Sequence, residues 1–317
     1  MWTYADERAA VRDALRLSRA MTFKSAVAGL PLGGGKGVIM LPAGTSPPAG
    51  EDRRAALLDF GDTVDALGGA YITAEDVGTS EPDMRTISEV TAHVCGLAVE
   101  SGGSGDPSPW TAVGVEAAIR VASERVFGTT ALDGRSIAVV GLGHVGGPLA
   151  EALARAGAKL VVADIDGRRR ELADRLGAVW TDPRNALTAA VDIVAPCALG
   201  GVLNDETVPL LRCRAIAGAA NNQLAADHVG ELLAARGILW VPDFVANAGG
   251  VVNIAVELEP SGYDIARAET RVRAIADTVR TVLDHADATG TTPLAAAMEI
   301  ARRRVVEAGA PDSAAAA

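Results

Sequence analysis

A strand of buried type that runs directly into a glycine-rich loop constrains this fold more than any other sequence feature. The apolar run Ser136–Val140 is followed by GLGHVG at residues 141–146, and a helical pattern then begins. A strand, a GxGxxG loop and a helix in this order predict a dinucleotide-binding unit. Gly141 would permit the tight turn, Gly143 would let a pyrophosphate approach, and Gly146 would let the helix pack on the sheet.

The next strand predicts which dinucleotide is bound. It ends in Asp164, 23 residues after Gly141, where a carboxylate can accept hydrogen bonds from ribose hydroxyls. A carboxylate there would repel a 2′-phosphate, so the sequence favours NAD over NADP. Asp166 is the weaker candidate for the ribose and is more typical of a helix cap. We predict cofactor contacts along the whole loop: Gly141, Leu142, Gly143, His144, Val145 and Gly146.

Strands and helices alternate through the second half of the chain, which predicts a parallel sheet. The expected strands are Ser136–Val140, Lys159–Ala163, Ala178–Trp180, Asp192–Ala195, Ala215–Ala217 and Ile238–Val241. With 317 residues the chain can form about two domains. We therefore expect an α/β protein with two domains, a smaller α/β catalytic domain and a Rossmann-type doubly wound NAD-binding domain.

The segment Ser101–Pro109 is rich in turn-forming residues, as is typical of a hinge between domains. Around it the patterns predict helices over Asp6–Ala20, Glu51–Leu67, Glu81–Val94, Thr111–Phe127, Asp264–Ala288 and Pro293–Ala308, with short strands over Val38–Leu41 and Ala70–Ala74. We predict a catalytic domain over residues 1–109, an NAD-binding domain over 110–290 and a C-terminal helix over 291–317.

Composition and charge limit the possible partners. A net charge of −11 argues against a general nucleic-acid or anionic-membrane surface. The three cysteines, Cys95, Cys197 and Cys213, are scattered, with no metal-ligand spacing, so we expect no metal site and a reducing cytoplasm. No apolar run approaches the length of a membrane span, and the N-terminus lacks the pattern of a secretion signal.

A second glycine-rich loop carries the candidate chemistry. Lys24 and Lys36 lie on either side of the glycines 33–35, just before an apolar run. Because glycine has no Cβ, a ligand can lie against such a loop. Burial of Lys36 and the charge of Lys24 would both lower the Lys36 pKa, and a lysine tuned in this way is a usable general base. For the isolated motif, a solvated turn lysine is the alternative.

Several polar residues could complete a site. Asp76 follows a short predicted strand and could exchange a proton with an amine. Asn222 and Asn247 follow strands of the predicted sheet, where ligands collect, although each could be a simple loop cap. Val251 and Ile254 share one face of the following helix and could form core or wall an apolar pocket.

Seven motifs taken together resemble the amino-acid dehydrogenases of the glutamate/leucine/phenylalanine/valine group, closest to the valine and leucine branch. They are MTFKSAVAGLPLGGGK, YITAEDVGT, GDPSPWTAVGV, GLGHVGG, APCALGGVLNDETVP, AGAANNQLA and PDFVANAGGVVN. The resemblance covers essentially the whole chain. It implies a two-domain NAD(P)-dependent oxidative deaminase with its cleft between the domains, assembled as a homo-oligomer. It also implies that the last helix returns to the first domain.

The resemblance implies roles for matched positions. Lys24 would hold the substrate α-carboxylate, Lys36 would activate water, and Asp76 would move protons at the amine. The remaining matched positions would contact substrate or cofactor: Gly34, Asn222, Thr111 near the nicotinamide, and Ala74, Val251 and Ile254 around the substrate side chain. An apolar Ile254 offers no donor to a side-chain carboxylate, so branched aliphatic amino acids are expected, with phenylalanine possible and glutamate excluded.

One departure from the family pattern concerns the N-terminus. Met1-Trp2-Thr3-Tyr4 aligns with an internal family run, so a preceding segment is expected to be missing. An inactive NAD-binding homologue therefore remains an alternative. A dehydrogenase of 2-hydroxy acids is less favoured, because none of the four histidines falls in a cleft motif.

Overall fold

The computed structural model describes residues 1–309 and divides into two compact units. The predicted C-terminal segment 291–317 therefore lies partly, and its alanines 314–317 wholly, outside the described residues. The first unit comprises Met1–Ala26, Leu30–Pro107 and Val251–Ala268. The second comprises Val27–Gly29, Ser108–Gly250 and the chain from Glu269 onward.

The first unit contains a two-stranded sheet and three helices before residue 107. In chain order they are β1 (Trp2–Thr3), α1 (Glu7–Val27), β2 (Met40–Leu41), α2 (Gly50–Asp65) and α3 (Glu81–Ile87), followed by a 3-10 helix at Val99–Ser101. Strands β1 and β2 are parallel. A small core lies beneath α2 and α3, formed by Leu57, Met84, Ile87 and Val94.

Helix α1 is longer than the sequence pattern predicted. It continues through Val27 and ends just before Gly29, whose φ of 70° suits the reversal that follows. Lys24 therefore lies in the last helical turn, where a positive charge is favourable, rather than in the loop.

Two predictions for the region around residues 70–94 were wrong. The expected strand Ala70–Ala74 is reduced to a single parallel bridge between Thr73 and Val94. The amide of Thr73 donates to the carbonyl of His93 at 3.0 Å, and the amide of Cys95 donates to the carbonyl of Thr73 at 2.8 Å. Because this bridge keeps residues 93–95 extended, the predicted helix Glu81–Val94 ends at Ile87.

The second unit begins with a long helix and continues as alternating strands and helices. They are α4 (Ser108–Phe127), β3 (Ser136–Val140), α5 (Gly146–Arg155), β4 (Lys159–Ala163), α6 (Arg170–Leu176), β5 (Val179–Trp180), α7 (Pro183–Leu187), β6 (Ile193–Pro196), β7 (Ala215–Ile216), α8 (His228–Ala235), β8 (Leu239–Trp240) and α9 (Asp243–Ala246). Further 3-10 helices lie at Gly167–Arg169 and Val208–Leu210.

All six strands of this unit form one parallel sheet in the order β5-β4-β3-β6-β7-β8. The predicted doubly wound fold is confirmed. The strand order reverses between β3 and β6, and ligands bind outside the carboxyl ends of strands at such a point. Both strands are buried almost throughout, as expected for the centre of a parallel sheet.

Four helices follow α9 within residues 1–309: α10 (Gly249–Glu257), α11 (Ile265–Arg273), α12 (Ile275–Thr289) and α13 (Pro293–Gly309). The predicted helix Asp264–Ala288 is thus divided at Ala274. Most of α10 clusters with the first unit, whereas α13 clusters with the second, which differs from the predicted domain bounds. The short link from α12 to α13 lets α13 pack against α12, and Arg304 of α13 donates to the carbonyl of Val27 at 2.7 Å.

Candidate active site

The glycines of the GGGK loop are in contact with helix α1. A Cβ built on Gly34 would lie 2.2 Å from the amide nitrogen of Thr22 and 2.3 Å from the carbonyl oxygen of Ser18. The Ser18 hydroxyl also donates to the carbonyl of Gly34 at 2.6 Å. Glycine at position 34 is therefore required for packing on α1. Its predicted contact with a substrate remains a proposal.

Two aromatic rings hold the glycines next to Lys36. A Cβ on Gly35 would lie 2.4 Å from the ring of Tyr71, and one on Gly37 would lie 2.6 Å from the ring of Phe60. The amide of Gly37 donates to the Tyr71 hydroxyl oxygen at 2.9 Å. Lys36 thus projects from a backbone fixed on both sides.

Lys36 and Asp76, both predicted as catalytic residues, form an ion pair. The Lys36 side chain is 22% exposed and that of Asp76 is 48% exposed. Burial lowers the Lys36 pKa, while the negative charge of Asp13 on α1 raises it. An effect of Lys24 on that pKa remains a prediction.

The turn at residues 76–79 fixes the Asp76 carboxylate. One of its oxygens accepts from the amide of Val77 at 2.7 Å, and the other pairs with Lys36. The hydroxyl of Thr79 accepts from the Asp76 amide at 3.0 Å and donates to the Asp76 carbonyl at 2.8 Å. These contacts orient the carboxylate toward the lysine.

The residues predicted to surround the substrate side chain also belong to the first unit. Ala74 is half-buried beside the Thr73 bridge, and Val251 and Ile254 are half-buried on α10. Helix α10 is held in place by Glu257, which accepts from the amides of Gly96 and Ser104, each at 2.9 Å. Val251 and Ile254 thus each keep part of their apolar surface exposed, and their predicted contact with a substrate remains a proposal.

The loop after β3 has the geometry that a dinucleotide requires. Gly141 has a φ of 104°, and a Cβ there would lie 2.7 Å from Ala198. A Cβ on Gly146 would lie 1.9 Å from the carbonyl oxygen of Gly141, whereas no atom lies within 4 Å of one on Gly143. The space over Gly143 and the amides at the start of α5 suit a pyrophosphate. Leu142 is buried, Val145 is half-buried and His144 is exposed.

Asp164 lies at the end of β4 and turns back toward this loop. Its carboxylate accepts from the amide of Leu142 at 2.6 Å and from the amide of Asp166 at 2.8 Å. Asp166 caps the 3-10 helix Gly167–Arg169 and forms an ion pair with Arg168, as the sequence indicated. Asp164 is therefore held beside the glycine loop, and its predicted contact with the ribose remains a proposal.

A third part of the nucleotide region follows β7. Asn222 is the one described residue other than glycine with positive φ, at 53°, and its side chain is exposed. Its carbonyl accepts from the amide of Gly201, and Gly201 belongs to the loop that reaches Gly141 through Ala198. Asn222 is thus connected to the glycine loop through residues 198–201, at the carboxyl end of the sheet.

Asn247 is 3% exposed. Its side-chain nitrogen donates to the carbonyl of Ala219 and to the side-chain oxygen of Asn221. Its side-chain oxygen is buried with no hydrogen-bond partner. An unsatisfied buried acceptor suits a ligand that carries an N–H or O–H group. Thr111 is half-buried near the start of α4, in the same unit. The glycine loop, Asp164 and this acceptor together fit a nicotinamide dinucleotide.

Residues that no motif predicted hold these groups in place. The backbone amide of buried Gln223 donates to the Asp243 carboxylate at 2.7 Å. The side-chain oxygen of Gln223 accepts from the indole of Trp240 at 3.0 Å. Ser18, Tyr71 and Thr79 have a similar part in the first unit. Gln223 directly follows the two asparagines, and Thr79 is three residues from Asp76, so both could have been suspected. Ser18 and Tyr71 act across 16 and 34 positions, which no local pattern reveals.

Neither a metal centre nor a membrane span is found within residues 1–309. No three His, Cys, Asp or Glu side chains there are grouped so that they could hold a metal ion. No helix in this range combines the length and apolarity needed to cross a bilayer. Burial raises the pKa of the Cys95 and Cys197 thiols to about 12, so neither is a ready nucleophile.

Family comparisons agree with this geometry. A model described as Glu/Leu/Phe/Val dehydrogenase, dimerisation domain, matches residues 1–93. A second, described as Glutamate/Leucine/Phenylalanine/Valine dehydrogenase, matches residues 168–311. The chain belongs to this dehydrogenase family. The resemblance inferred from the seven motifs is confirmed.

Curated relatives of this dehydrogenase family cover nearly the whole chain. A leucine dehydrogenase of Thermoactinomyces intermedius is 44% identical over 96% of this chain and 82% of its own length. An L-tryptophan dehydrogenase of Nostoc punctiforme is 43% identical over 95% and 83%. A valine dehydrogenase of Streptomyces albus is 42% identical over 98% and 84%. The protein is therefore an amino-acid dehydrogenase, and enzymes of this family use NAD(P).

Solved structures give the same result for the fold. The crystal structure of L-tryptophan dehydrogenase from Nostoc punctiforme has a TM-score of 0.81 and 38% identity, covering 96% of this chain and 86% of its own. A hetero-hexameric glutamate dehydrogenase from Thermus thermophilus has a TM-score of 0.76 over 96% of this chain and 80% of its own. At 23% identity, the second structure supports the fold alone.

Proposed function

We propose that this protein catalyses the reversible, NAD-dependent oxidative deamination of a branched-chain L-amino acid. The products are the 2-oxo acid, ammonium and NADH. The observation that carries the proposal is the ion pair between Lys36, whose pKa is lowered by burial, and Asp76. The same chain carries a glycine loop and an Asp164 carboxylate that fit a nicotinamide dinucleotide.

The first unit supplies the groups that act on the amino acid. Lys24, in the last turn of α1, binds the α-carboxylate. Neutral Lys36 takes a proton from the water that attacks the imine carbon. Asp76 accepts and returns the protons of the nitrogen as it becomes ammonia. Bound NAD supplies the acceptor for the hydride of the α-carbon.

The apolar residues Ala74, Val251 and Ile254 support a branched aliphatic side chain as the substrate group. None of them offers a donor to the carboxylate of glutamate, and an unpaired charge in an apolar pocket is costly. Valine and leucine differ by one methylene, a difference worth ~1–3 kcal/mol in such a pocket. The relatives named for leucine, valine and tryptophan are similarly close, so aromatic amino acids are the second candidate.

The choice of NAD over NADP rests on Asp164. Its carboxylate is held by the amides of Leu142 and Asp166, where it can accept from both ribose hydroxyls. A 2′-phosphate would meet this negative charge. The nearby Arg168 is engaged with Asp166. Thr111, Asn222 and Asn247 would contact the nicotinamide half of the cofactor.

We also propose that the chain forms a homo-oligomer in a reducing cytoplasm. Residues 1–93 match a model described as a dimerisation domain. In that range Trp2, Val11 and Leu15 are each more than half exposed, and Val11 and Leu15 lie one turn apart on α1, as suits a surface between subunits. The cysteines are free thiols, as suits a reducing compartment.

The test is a substrate panel in which formation of the reduced cofactor is followed by absorbance. Valine, leucine, isoleucine, phenylalanine, tryptophan and glutamate are each supplied with NAD and, separately, with NADP. We expect activity with the branched-chain amino acids and NAD, and none with glutamate. Failure of every amino acid with both cofactors would exclude the proposed function.

The sequence provides a matched control for the proposed base. The chain has three lysines, Lys24, Lys36 and Lys159. We expect Lys36→Met to lower kcat by at least about 100-fold, since a general base contributes that much or more, while the Kd of NADH is unchanged. Lys159→Met removes an exposed lysine from the start of β4 and should keep wild-type turnover. Normal turnover in Lys36→Met would show that the base is another group.

A further inference from the structure

The side chain of Tyr71 contacts the backbone on both sides of Lys36, whereas the ring of Phe60 contacts Gly37. Its ring lies against Gly35, where an added Cβ would come within 2.4 Å and 2.6 Å of two ring carbons. Its hydroxyl oxygen accepts from the amide of Gly37 at 2.9 Å. Tyrosine combines a flat apolar surface for the first contact with a distant acceptor for the second.

Tyr71 also links the two members of the ion pair along the chain. It lies five residues before Asp76, in the segment that includes the Thr73–Val94 bridge. The segment from Tyr71 to Asp76 therefore contacts the Lys36 region twice. The Tyr71 side chain contacts the backbone next to Lys36, and the Asp76 carboxylate pairs with the Lys36 ammonium group. On the other side of the loop, the carbonyl of Gly34 is bonded to Ser18 on α1.

From these contacts we propose that Tyr71 is the positioning residue that holds the proposed base, Lys36, in its reactive place. The proposal rests on the proposed function, because it assigns Lys36 the role of base. Tyr71 itself has no part in proton transfer. It fixes the φ and ψ angles around Lys36, and a small displacement of a reacting group can cost about 100-fold in rate.

The charged groups that face Lys36 come from three parts of the first unit. Asp76 pairs with it, and Asp13 of α1 acts on it from a distance while bonded to Tyr4 and Arg16. The amino group of Met1 is a third, since the charge of Lys36 helps to lower its pKa. The Tyr71 hydroxyl is bonded to the backbone amide of Gly37 and not to a charged group, so Tyr71→Phe leaves the charges in place.

The central test uses Tyr71→Phe, which keeps the ring on Gly35 and removes the acceptor for Gly37. We expect kcat to fall about tenfold while the KM for NAD stays constant, because the loop loses one of its two fixed ends. A looser loop exposes Lys36 to water. Its pKa then rises toward the value of free lysine, and the pH at which oxidative activity appears moves upward.

A second readout does not depend on turnover. With three lysines in the chain, selective ¹³Cε labelling gives few side-chain signals, and Lys36→Met identifies the one from Lys36. We expect that signal to titrate at higher pH in Tyr71→Phe than in the wild type. Tyr263→Phe is the matched control, because it removes another half-buried hydroxyl of the first unit, bonded to Asn253 at 2.8 Å. It should leave the Lys36 titration unchanged.

The outcomes separate the two proposals. An unchanged Lys36 titration and pH profile in Tyr71→Phe, in an active enzyme, would overturn the positioning role and leave the function intact. So would a change confined to the KM of particular amino acids, which would make Tyr71 a substrate contact. If the wild type is inactive with every amino acid, the proposed function fails, and the titration alone still decides whether Tyr71 holds Lys36.

Discussion

At the scale of single residues, burial and the Asp13 carboxylate have opposed effects on the pKa of Lys36, in addition to its ion pair with Asp76. Burial lowers its pKa by disfavouring the ammonium form, and the carboxylate of Asp13 raises it. Asp13 is itself kept ionised, because hydrogen bonds from Arg16 and Tyr4 lower its pKa. A general base must be neutral to accept a proton, so oxidative activity should increase as pH rises through the Lys36 pKa, below the value of about 10.4 for free lysine.

Replacing Asp13 tests this balance. Asp13→Asn removes the charge that raises the Lys36 pKa and keeps a side chain of similar size. We therefore expect the Lys36 pKa to fall, so that the rise of activity with pH occurs at lower pH. This is opposite to the shift expected for Tyr71→Phe. The measurement is kcat/KM against pH for both variants. If kcat/KM of Asp13→Asn rose only at higher pH than in the wild type, Asp13 would act on Lys36 through structure and not through its charge.

At the scale of elements, two glycines of the loop between β3 and α5 have different roles, one in stability and the other in cofactor binding. Gly146 touches the carbonyl of Gly141, so an added methyl would overpack the loop, whereas Gly143 faces open space. Gly146→Ala should destabilise the protein by about 1–3 kcal/mol. Gly143→Ala should keep wild-type stability and weaken NADH binding at least about tenfold, a change of about 1.4 kcal/mol.

Urea unfolding and NADH fluorescence titration measure these two effects independently. The comparison is informative because both variants add the same methyl group within four residues. A Gly143→Ala protein that binds NADH normally would show that the pyrophosphate does not pass over Gly143. A fully stable Gly146→Ala protein would show that the loop can move away from Gly141.

The elements differ in how far the sequence could predict them. Strands β3 and β4 were predicted to the residue, since central parallel strands are continuous apolar runs bounded by loops. Around Lys36 the prediction was poorer. Helix α1 continues past Ala20 because no helix breaker occurs before Gly29, and residues 93–95 are extended because Thr73 pairs with them. Such pairing depends on distant partners.

The candidate site shows the same contrast. Lys36, Asp76 and Asp164 could be proposed from motifs, because their chemistry requires particular residue types at particular spacings. The residues that hold them could not. Tyr71 meets Gly37 across 34 positions, and Ser18 meets Gly34 across 16. Their role appears only when the chain has folded, since packing and hydrogen bonds between distant segments create it.

At the scale of the whole molecule, the two units have cores of very different size. The second unit has a large apolar core that includes Val194, Ile216 and Trp240. The core beneath α2 and α3 in the first unit has four buried residues. Since buried apolar area provides most of the stability, we expect the first unit to unfold at lower urea concentration than the second.

Hydrogen exchange at increasing urea, read by mass spectrometry, can follow peptides of each unit separately. NADH at 100 times its Kd should stabilise the unit that binds it by about 2.7 kcal/mol. We expect that increase in peptides covering residues 141–147 and 219–223, with peptides covering residues 71–79 keeping their lower transition. Gly143→Ala at the same NADH concentration is the control and should reduce the increase to about 1.4 kcal/mol or less, because the concentration is then at most about ten times the Kd. A single transition shared by all peptides would show that the two cores unfold as one.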